Sequence, residues 1–299
     1  LDDIQVMAGA TAGLNVVAQV LFEPGDELLL PAPFWPLARG LAAVRGARAV
    51  EVPFFTELDD PSFDPEAALE RAVTERTVAV YVNTPHNPAG TILRDADMWR
   101  IIDMLRGTDI ILLSDEVYEH LVFDGEQHAS AINYPELRDR AFVIFSFGKV
   151  FHTTGWKMGY ALAPKALMTE FRKVHQFNVF SANTPIQHAL AAYMKEPSNY
   201  EQVPSFYQAK RDRFAKGMAK SRFRLLPCEG SYFQTADYSA ISNQDDRSFA
   251  ERVAREFGVA TIPLSPFYQE PPTDQRLLRF CFAKQDATLD AAIEKLCRI

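Results

Sequence analysis

Three strand-like runs in this chain are each followed by polar residues with different chemistry. Thr77–Val82 runs into Asn83-Thr84-Pro85-His86-Asn87-Pro88-Ala89-Gly90, and Ile110–Leu113 into Ser114-Asp115-Glu116-Val117-Tyr118. Phe142–Phe145 runs into Ser146-Phe147-Gly148-Lys149. In α/β sheets, ligands gather beyond the carboxyl ends of the strands. The steps from Asn87 to Asp115 and from Asp115 to Lys149 are each about one βα unit long, so an amide, a carboxylate and an amine converge on one sheet edge. A lysine amine condenses with an aldehyde to form an imine. A carboxylate beside a pyridine nitrogen keeps that ring protonated, so the ring can accept carbanion electrons. Gly9-Ala10-Thr11 leads directly into a helix, where small residues let backbone N–H groups meet a phosphate. The Ser146 hydroxyl and Lys157 could complete that cradle. Taken singly, Lys149 reads as a loop lysine, Asp115 as a helix cap and Asn87-Pro88 as a turn. Their order, at successive strand ends, is what gives them weight.

The surrounding pattern supplies the frame. Leu14, Val17, Ala18 and Leu21 follow helical spacing, and Leu28-Leu29-Leu30 reads as a buried strand. Asp64-Pro65-Glu66 is a helix start: a cap, a proline, then an acid. Met98, Ile101, Ile102 and Leu105 mark a further helix, and Thr184-Pro185 opens another. Alternating strands and helices with two-faced apolar strands predict an α/β fold, a mostly parallel central sheet with helices on both faces. The rhythm changes near Glu196. A polar helix over Phe206–Met218 precedes strand-like pieces at Phe223–Leu226, Tyr232–Ala236, Val259–Ile262 and Leu277–Phe282. Helices over Ser248–Phe257, stopped by Gly258, and Thr288–Leu296 lie among them. The expected division is a large domain over 1–195 and a smaller C-terminal α+β domain over 196–299.

The stretches VMAGAT, VNTPHNPAG, LSDEVYEHLVFDG, SFGKVFHTTGWKMGY and LLRFCFAK resemble the class I aminotransferases of fold type I, which use pyridoxal 5′-phosphate. The likeness runs from about Val6 to the C-terminus and is strongest to the branch of methionine aminotransferase and kynurenine aminotransferase (glutamine transaminase K). It implies that Lys149 is the Schiff-base lysine and proton shuttle and that Asp115 pairs with the pyridinium nitrogen. Tyr118 and Asn87 would bond the ring hydroxyl. Gly9, Ala10, Thr11, Ser146 and Lys157 would hold the phosphate, and Trp35 would stack on the ring. Arg279 would bind the substrate carboxylate in a two-pronged pair, with Asn87 beside it. Phe180, Tyr232, Phe267 and Tyr268 could line an aromatic substrate pocket. The activity implied is transfer of the amino group of an L-amino acid (methionine, glutamine, aromatic or kynurenine-like) to a 2-oxo acid. It would run by a ping-pong route in a cytoplasmic homodimer with the site at the subunit interface. Two alternatives stay open: a cysteine-conjugate β-lyase, against which Tyr118 counts because such relatives tend to carry histidine there, and an aminotransferase-like sensor domain of a transcription regulator.

The branch usually carries Asp-x-Tyr after the stacking aromatic, where this chain has Pro36-Leu37-Ala38. A polar contact near the substrate is lost there, or the correspondence slips. The chain begins at Leu1, close to site residues, so a preceding segment is expected. A net charge of −8 argues against a general nucleic-acid grip. No apolar run is long enough to cross a membrane, and six histidines without an HxxxH pair give no metal site. Cys228, Cys281 and Cys297 read as free thiols in a reducing compartment.

Overall fold

Five parallel strands set the frame, and the four inner ones form because their side chains are mostly apolar on both faces. The computed structural model describes residues 2–54 and 63–299; Leu1 and residues 55–62 lie outside the described residues. The main sheet comprises β1 (Ile4–Met7), β2 (Glu27–Ala32), β3 (Arg48–Pro53), β4 (Thr77–Asn83), β5 (Ile111–Asp115), β6 (Ala141–Ser146) and β7 (Gly159–Leu162). Its order is β1-β7-β6-β5-β4-β2-β3. Strands β2 to β6 pair in parallel, while β7 and then β1 extend the sheet antiparallel beyond β6. All six residues of β2 are buried.

Alternation along the strands sends side chains to two separate cores. The helices are α1 (Ala10–Leu21), α2 (Pro36–Val44), α3 (Pro65–Ala72), α4 (Asp95–Leu105), α5 (Pro135–Arg138), α6 (Phe147–Val150), α7 (Lys165–Asn178) and α8 (Thr184–Tyr193). Then follow α9 (Ser198–Glu201), α10 (Val203–Met218), α11 (Asp246–Phe257) and α12 (Asp286–Leu296). Leu28, Leu30, Leu113 and Ile144 face Leu14, Val17, Leu41 and Phe171 from α1, α2 and α7. Leu29, Val80, Leu112 and Val143 face Leu69, Ile101, Leu105 and Leu137 from α3, α4 and α5. Asp64 caps α3 by accepting the Ala67 amide at 3.0 Å, and Asn183 caps α8 through Ile186.

A second, antiparallel sheet of order β10-β11-β9-β8 is built from β8 (Arg224–Leu225), β9 (Phe233–Asp237), β10 (Ile262–Pro263) and β11 (Leu277–Cys281). Its core joins α10, α11 and α12 to Val117, Tyr118, Leu121 and Val150 of the main sheet's loops. The expected strand over Val259–Ile262 shrinks to two residues, because the chain leaves α11 through left-handed Gly258 (φ 64°) and meets β11 only at Ile262 and Pro263. Strands β1, β3 and β7 carry no clear sequence signal. Gly159 in β7 is required by close approach: a Cβ there would lie 2.5 Å from the Phe145 carbonyl oxygen and 3.1 Å from the Ala10 nitrogen. Among the described residues no helix is long and apolar enough to cross a membrane, no metal-ligand cluster occurs, and the three cysteines are free.

Candidate active site

The carboxyl ends of β4, β5 and β6 bring three side chains to one place. At the end of β6, Ser146 caps the single turn α6 by accepting the Gly148 amide at 3.2 Å. Thr154 donates to the Gly148 carbonyl at 2.9 Å and closes the loop. Lys149 sits in that turn with its amine 5.6 Å from the Tyr118 ring centre and 5.9 Å from that of Tyr232. At the end of β5, Asp115 is buried. The Tyr81 hydroxyl donates to its Oδ2 at 2.7 Å and the Val117 amide to its Oδ1 at 3.3 Å. Burial pushes the Asp115 carboxyl up to about 6, against the pull of the Tyr81 hydroxyl, the Val117 amide and the Lys149 charge. A buried carboxylate supported mostly by neutral donors favours a cationic partner. Asn83 donates to the Asp115 carbonyl at 2.8 Å and accepts the Asn87 amide at 2.8 Å, so one amide ties the β4 and β5 ends together. Behind Asp115, Glu116 accepts from Ser114 and from the Ala131 amide and meets His128 at 2.8 Å, which anchors the loop.

The helix α1 opens on the same space. Its cap, Gly9, has φ 89°, a conformation side chains disfavour. No side chain caps α1, so its first amides are left for a ligand, as an anion at a helix N-terminus requires. Lys157 adopts the left-handed region (φ 53°), with its backbone 3.6 Å from the position of a Gly9 Cβ.

From the second sheet, β11 contributes Arg279. Its guanidinium donates to the Asn87 side-chain oxygen and lies 4.0 Å from the Phe233 ring centre and 5.0 Å from that of Phe267. Its Nε is buried without a hydrogen-bond partner. Burial lowers the Arg279 pKa from its usual value. A buried donor left unmatched is costly, and an incoming carboxylate would satisfy it. Tyr118 is hydrogen-bonded to Tyr232, and burial raises its phenol well above the ordinary range.

Lys149, Asp115, Asn83, Asn87, Tyr118, Gly9, Lys157 and Arg279 border a single cavity of about 1110 Å³, with Tyr81, Glu116 and Tyr232 behind its wall. Gly9, Ala10, Thr11, Trp35, Asn87, Asp115, Tyr118, Ser146, Lys149, Lys157 and Arg279 all line it. The residues expected to serve catalysis, the cofactor and the substrate carboxylate are therefore brought together. The aromatic pocket is corrected in part. Phe267 lines the cavity, whereas Tyr232 packs edge-on behind Tyr118 at 5.3 Å. The Tyr268 hydroxyl accepts from Gln275 away from the cavity, and Phe180 is 85% exposed, because the chain turns outward after α7. Sequence reasoning missed Tyr81, Asn83, Thr154 and Phe233. Leu37, Leu41 and Val44 of α2 also line the cavity, which makes the wall after Trp35 apolar where the resembled branch is polar.

The donor set suits pyridoxal phosphate: an amine for the aldehyde, a buried carboxylate for the pyridinium, and uncapped helix amides with a lysine for the phosphate. Residues 2–296 match the family model described as aminotransferase class I and II. The chain belongs to this pyridoxal-phosphate-dependent family, has the fold type I architecture and is an aminotransferase. It is 44% identical over 299 residues to the methionine aminotransferase of Escherichia coli, covering 98% of this chain and 75% of that protein. It is 32% identical over 326 residues to human kynurenine–oxoglutarate transaminase 1, covering 99% and 77%. The solved structure of YbdL from Escherichia coli, identified as having a methionine aminotransferase function, superposes with a TM-score of 0.94 at 41% identity. That match covers all of this chain and 78% of the other.

Proposed function

We propose that this chain transfers the amino group of an L-amino acid to a 2-oxo acid in two ping-pong half-reactions. The observation that carries the reading is the meeting of Lys149, Asp115, Asn87 and Arg279 in one cavity. When bound, pyridoxal phosphate supplies an aldehyde for the amine and a ring that accepts an electron pair. Lys149 would hold the cofactor through its amine, and its Nζ is placed to move the proton at the substrate Cα. Asp115 would keep the ring nitrogen protonated. Tyr118 and Asn87 would bond the ring hydroxyl. Gly9, Ala10, Thr11, Ser146 and Lys157 would bind the phosphate, and Trp35 would cover the ring. Arg279, steadied by Asn87, orients the substrate carboxylate.

The apolar wall of Trp35, Leu37, Leu41 and Val44 favours an unbranched or aromatic apolar side chain, methionine or phenylalanine before glutamine or kynurenine-like substrates, whose polar groups would have to point away from it. The working form is a cytoplasmic homodimer with a large domain over 1–195 and a small one over 196–299. Exposed Phe177, Phe180, Tyr193 and Phe206 on and beside α7, α8 and α10 support a face covered by a second copy. The test is an amino-acid panel with several oxo acids on the protein loaded with pyridoxal phosphate. Methionine turnover that requires an oxo acid is expected, and Lys149→Ala should abolish both turnover and the imine absorbance. Retained imine and turnover in Lys149→Ala would sink the assignment. Pyruvate and ammonia from a cysteine conjugate, without oxo-acid-dependent turnover, would turn it into a lyase.

A further inference from the structure

The loop that carries Phe267 over Arg279 is latched to the main sheet at three points. The Phe34 amide donates to the Phe267 carbonyl at 2.8 Å. Arg39, in α2, donates to the Tyr268 carbonyl at 3.5 Å. Glu51, on the edge strand β3, accepts the Gln269 amide with one oxygen and the Glu270 amide, at 3.5 Å, with the other. The first two contacts leave from the segment that holds Trp35 at the cavity. The third comes from a strand that contributes nothing to the cavity wall. One carboxylate thus gathers two consecutive amides next to the aromatic ring that lies 5.0 Å from the Arg279 guanidinium.

We propose that Glu51 is a positioning residue for the substrate carboxylate: by clasping the 269–270 amides it fixes Phe267, and through Phe267 it fixes Arg279. The proposal rests on the transaminase reading, in which Arg279 binds that carboxylate. The physical reason lies in the geometry of Arg279. Asn87 accepts one nitrogen of its guanidinium, the Nε has no partner, and the plane is otherwise held by the rings of Phe233 and Phe267. Phe233 is fixed in β9, a central strand of its sheet. Phe267 lies in a single helical turn over Ser265–Phe267 and is tied at its carbonyl to the Phe34 amide, so what steadies it on its C-terminal side is the hold on the following residues. A two-pronged pair with a carboxylate needs a fixed guanidinium plane, and a ring free to rock would blur it. A charged acceptor bound to two amides is a stronger tie than a neutral one.

The test compares wild type, Glu51→Ala and Glu51→Gln, all loaded with pyridoxal phosphate. Amide hydrogen exchange at Gln269 and Glu270 should quicken in Glu51→Ala. Its KM for the amino acid should rise about 10-fold, the loss expected for a charge-assisted hydrogen bond, while kcat stays within about twofold and the cofactor absorbance is unchanged. Glu51→Gln, which keeps an oxygen acceptor, should fall between the two. Unchanged KM in Glu51→Ala despite faster exchange overturns the positioning role. A parallel fall in kcat, cofactor absorbance and thermal midpoint overturns it too, since that pattern marks general loosening. Unchanged exchange removes the clasp itself. Failure of the transaminase reading would look different: Lys149→Ala would retain turnover, and the proposal would fall with that reading whatever the exchange shows.

Discussion

Tyr81→Phe is the most informative single change, because it touches Asp115 without touching the cavity wall. The hydroxyl donates to Asp115 Oδ2 at 2.7 Å, and both groups are buried. A hydrogen bond to a charged group contributes about 1.5–3 kcal/mol. Losing it removes support from the carboxylate more than from the neutral acid. One pH unit of midpoint corresponds to roughly 1.4 kcal/mol, so the Asp115 midpoint, already pushed up to about 6, should rise by about 1–2 pH units in the unloaded protein. The sign follows from proton binding. A carboxyl whose folded midpoint lies above its unfolded one holds its proton longer when folded, so stability falls as pH rises through that window. The variant widens the window upward. Its destabilisation relative to wild type should therefore be larger at high pH than at pH 5, by about 1.5–3 kcal/mol once both proteins are ionised. Urea unfolding at several pH values reads this directly, and carbon-detected NMR titration of the Asp115 carboxyl checks it independently. A destabilisation that is the same at pH 5 and pH 9, with no move of the Asp115 midpoint, would refute the argument.

Asp115→Asn should leave the cofactor bound but slow proton removal from the substrate Cα by several orders of magnitude, read as single-turnover loss of the imine absorbance; a near-normal rate would remove the electron-sink role. Arg279→Lys keeps a charge but not the planar fork, so KM for the amino acid should rise about 10- to 100-fold, measured by steady-state kinetics at saturating oxo acid. Gly159→Ala would place a Cβ 2.5 Å from the Phe145 carbonyl oxygen and 3.1 Å from the Ala10 nitrogen. Its expected cost is about 1–3 kcal/mol in denaturant unfolding, with weaker cofactor binding because Ala10 opens the phosphate end.

Asn87, Asp115 and Lys149 could be found in the sequence because each follows an apolar run that can only be a buried strand. Tyr81 could not. Inside β4 it reads as one more strand residue, and only the parallel register, which sets Tyr81 beside Leu113 and Asn83 beside Asp115, turns it toward the carboxylate. Arg279 was singled out through a family likeness; by itself it is a polar residue in a short strand. Phe233 escaped because its value depends on the antiparallel pairing of β9 with β11, a contact between residues distant in the chain. Phe180 went wrong for the opposite reason. Aromatic character suggested a pocket, but the turn after α7 decides its direction, and local sequence carries little of that. The antiparallel strands β1 and β7 were invisible because four-residue strands lie below what periodicity can separate.

The Arg279 environment has a consequence for which small solutes the resting protein tolerates. Among the described residues no carboxylate forms an ion pair with this cation; an amide oxygen and two aromatic faces attend it instead. In a molecule of net charge −8, that makes the surroundings of Arg279 locally attractive to a negative charge. Common monovalent anions of buffers and cell fluid should therefore behave as weak competitors of the amino acid, so apparent affinity will track the identity of the salt as well as its concentration.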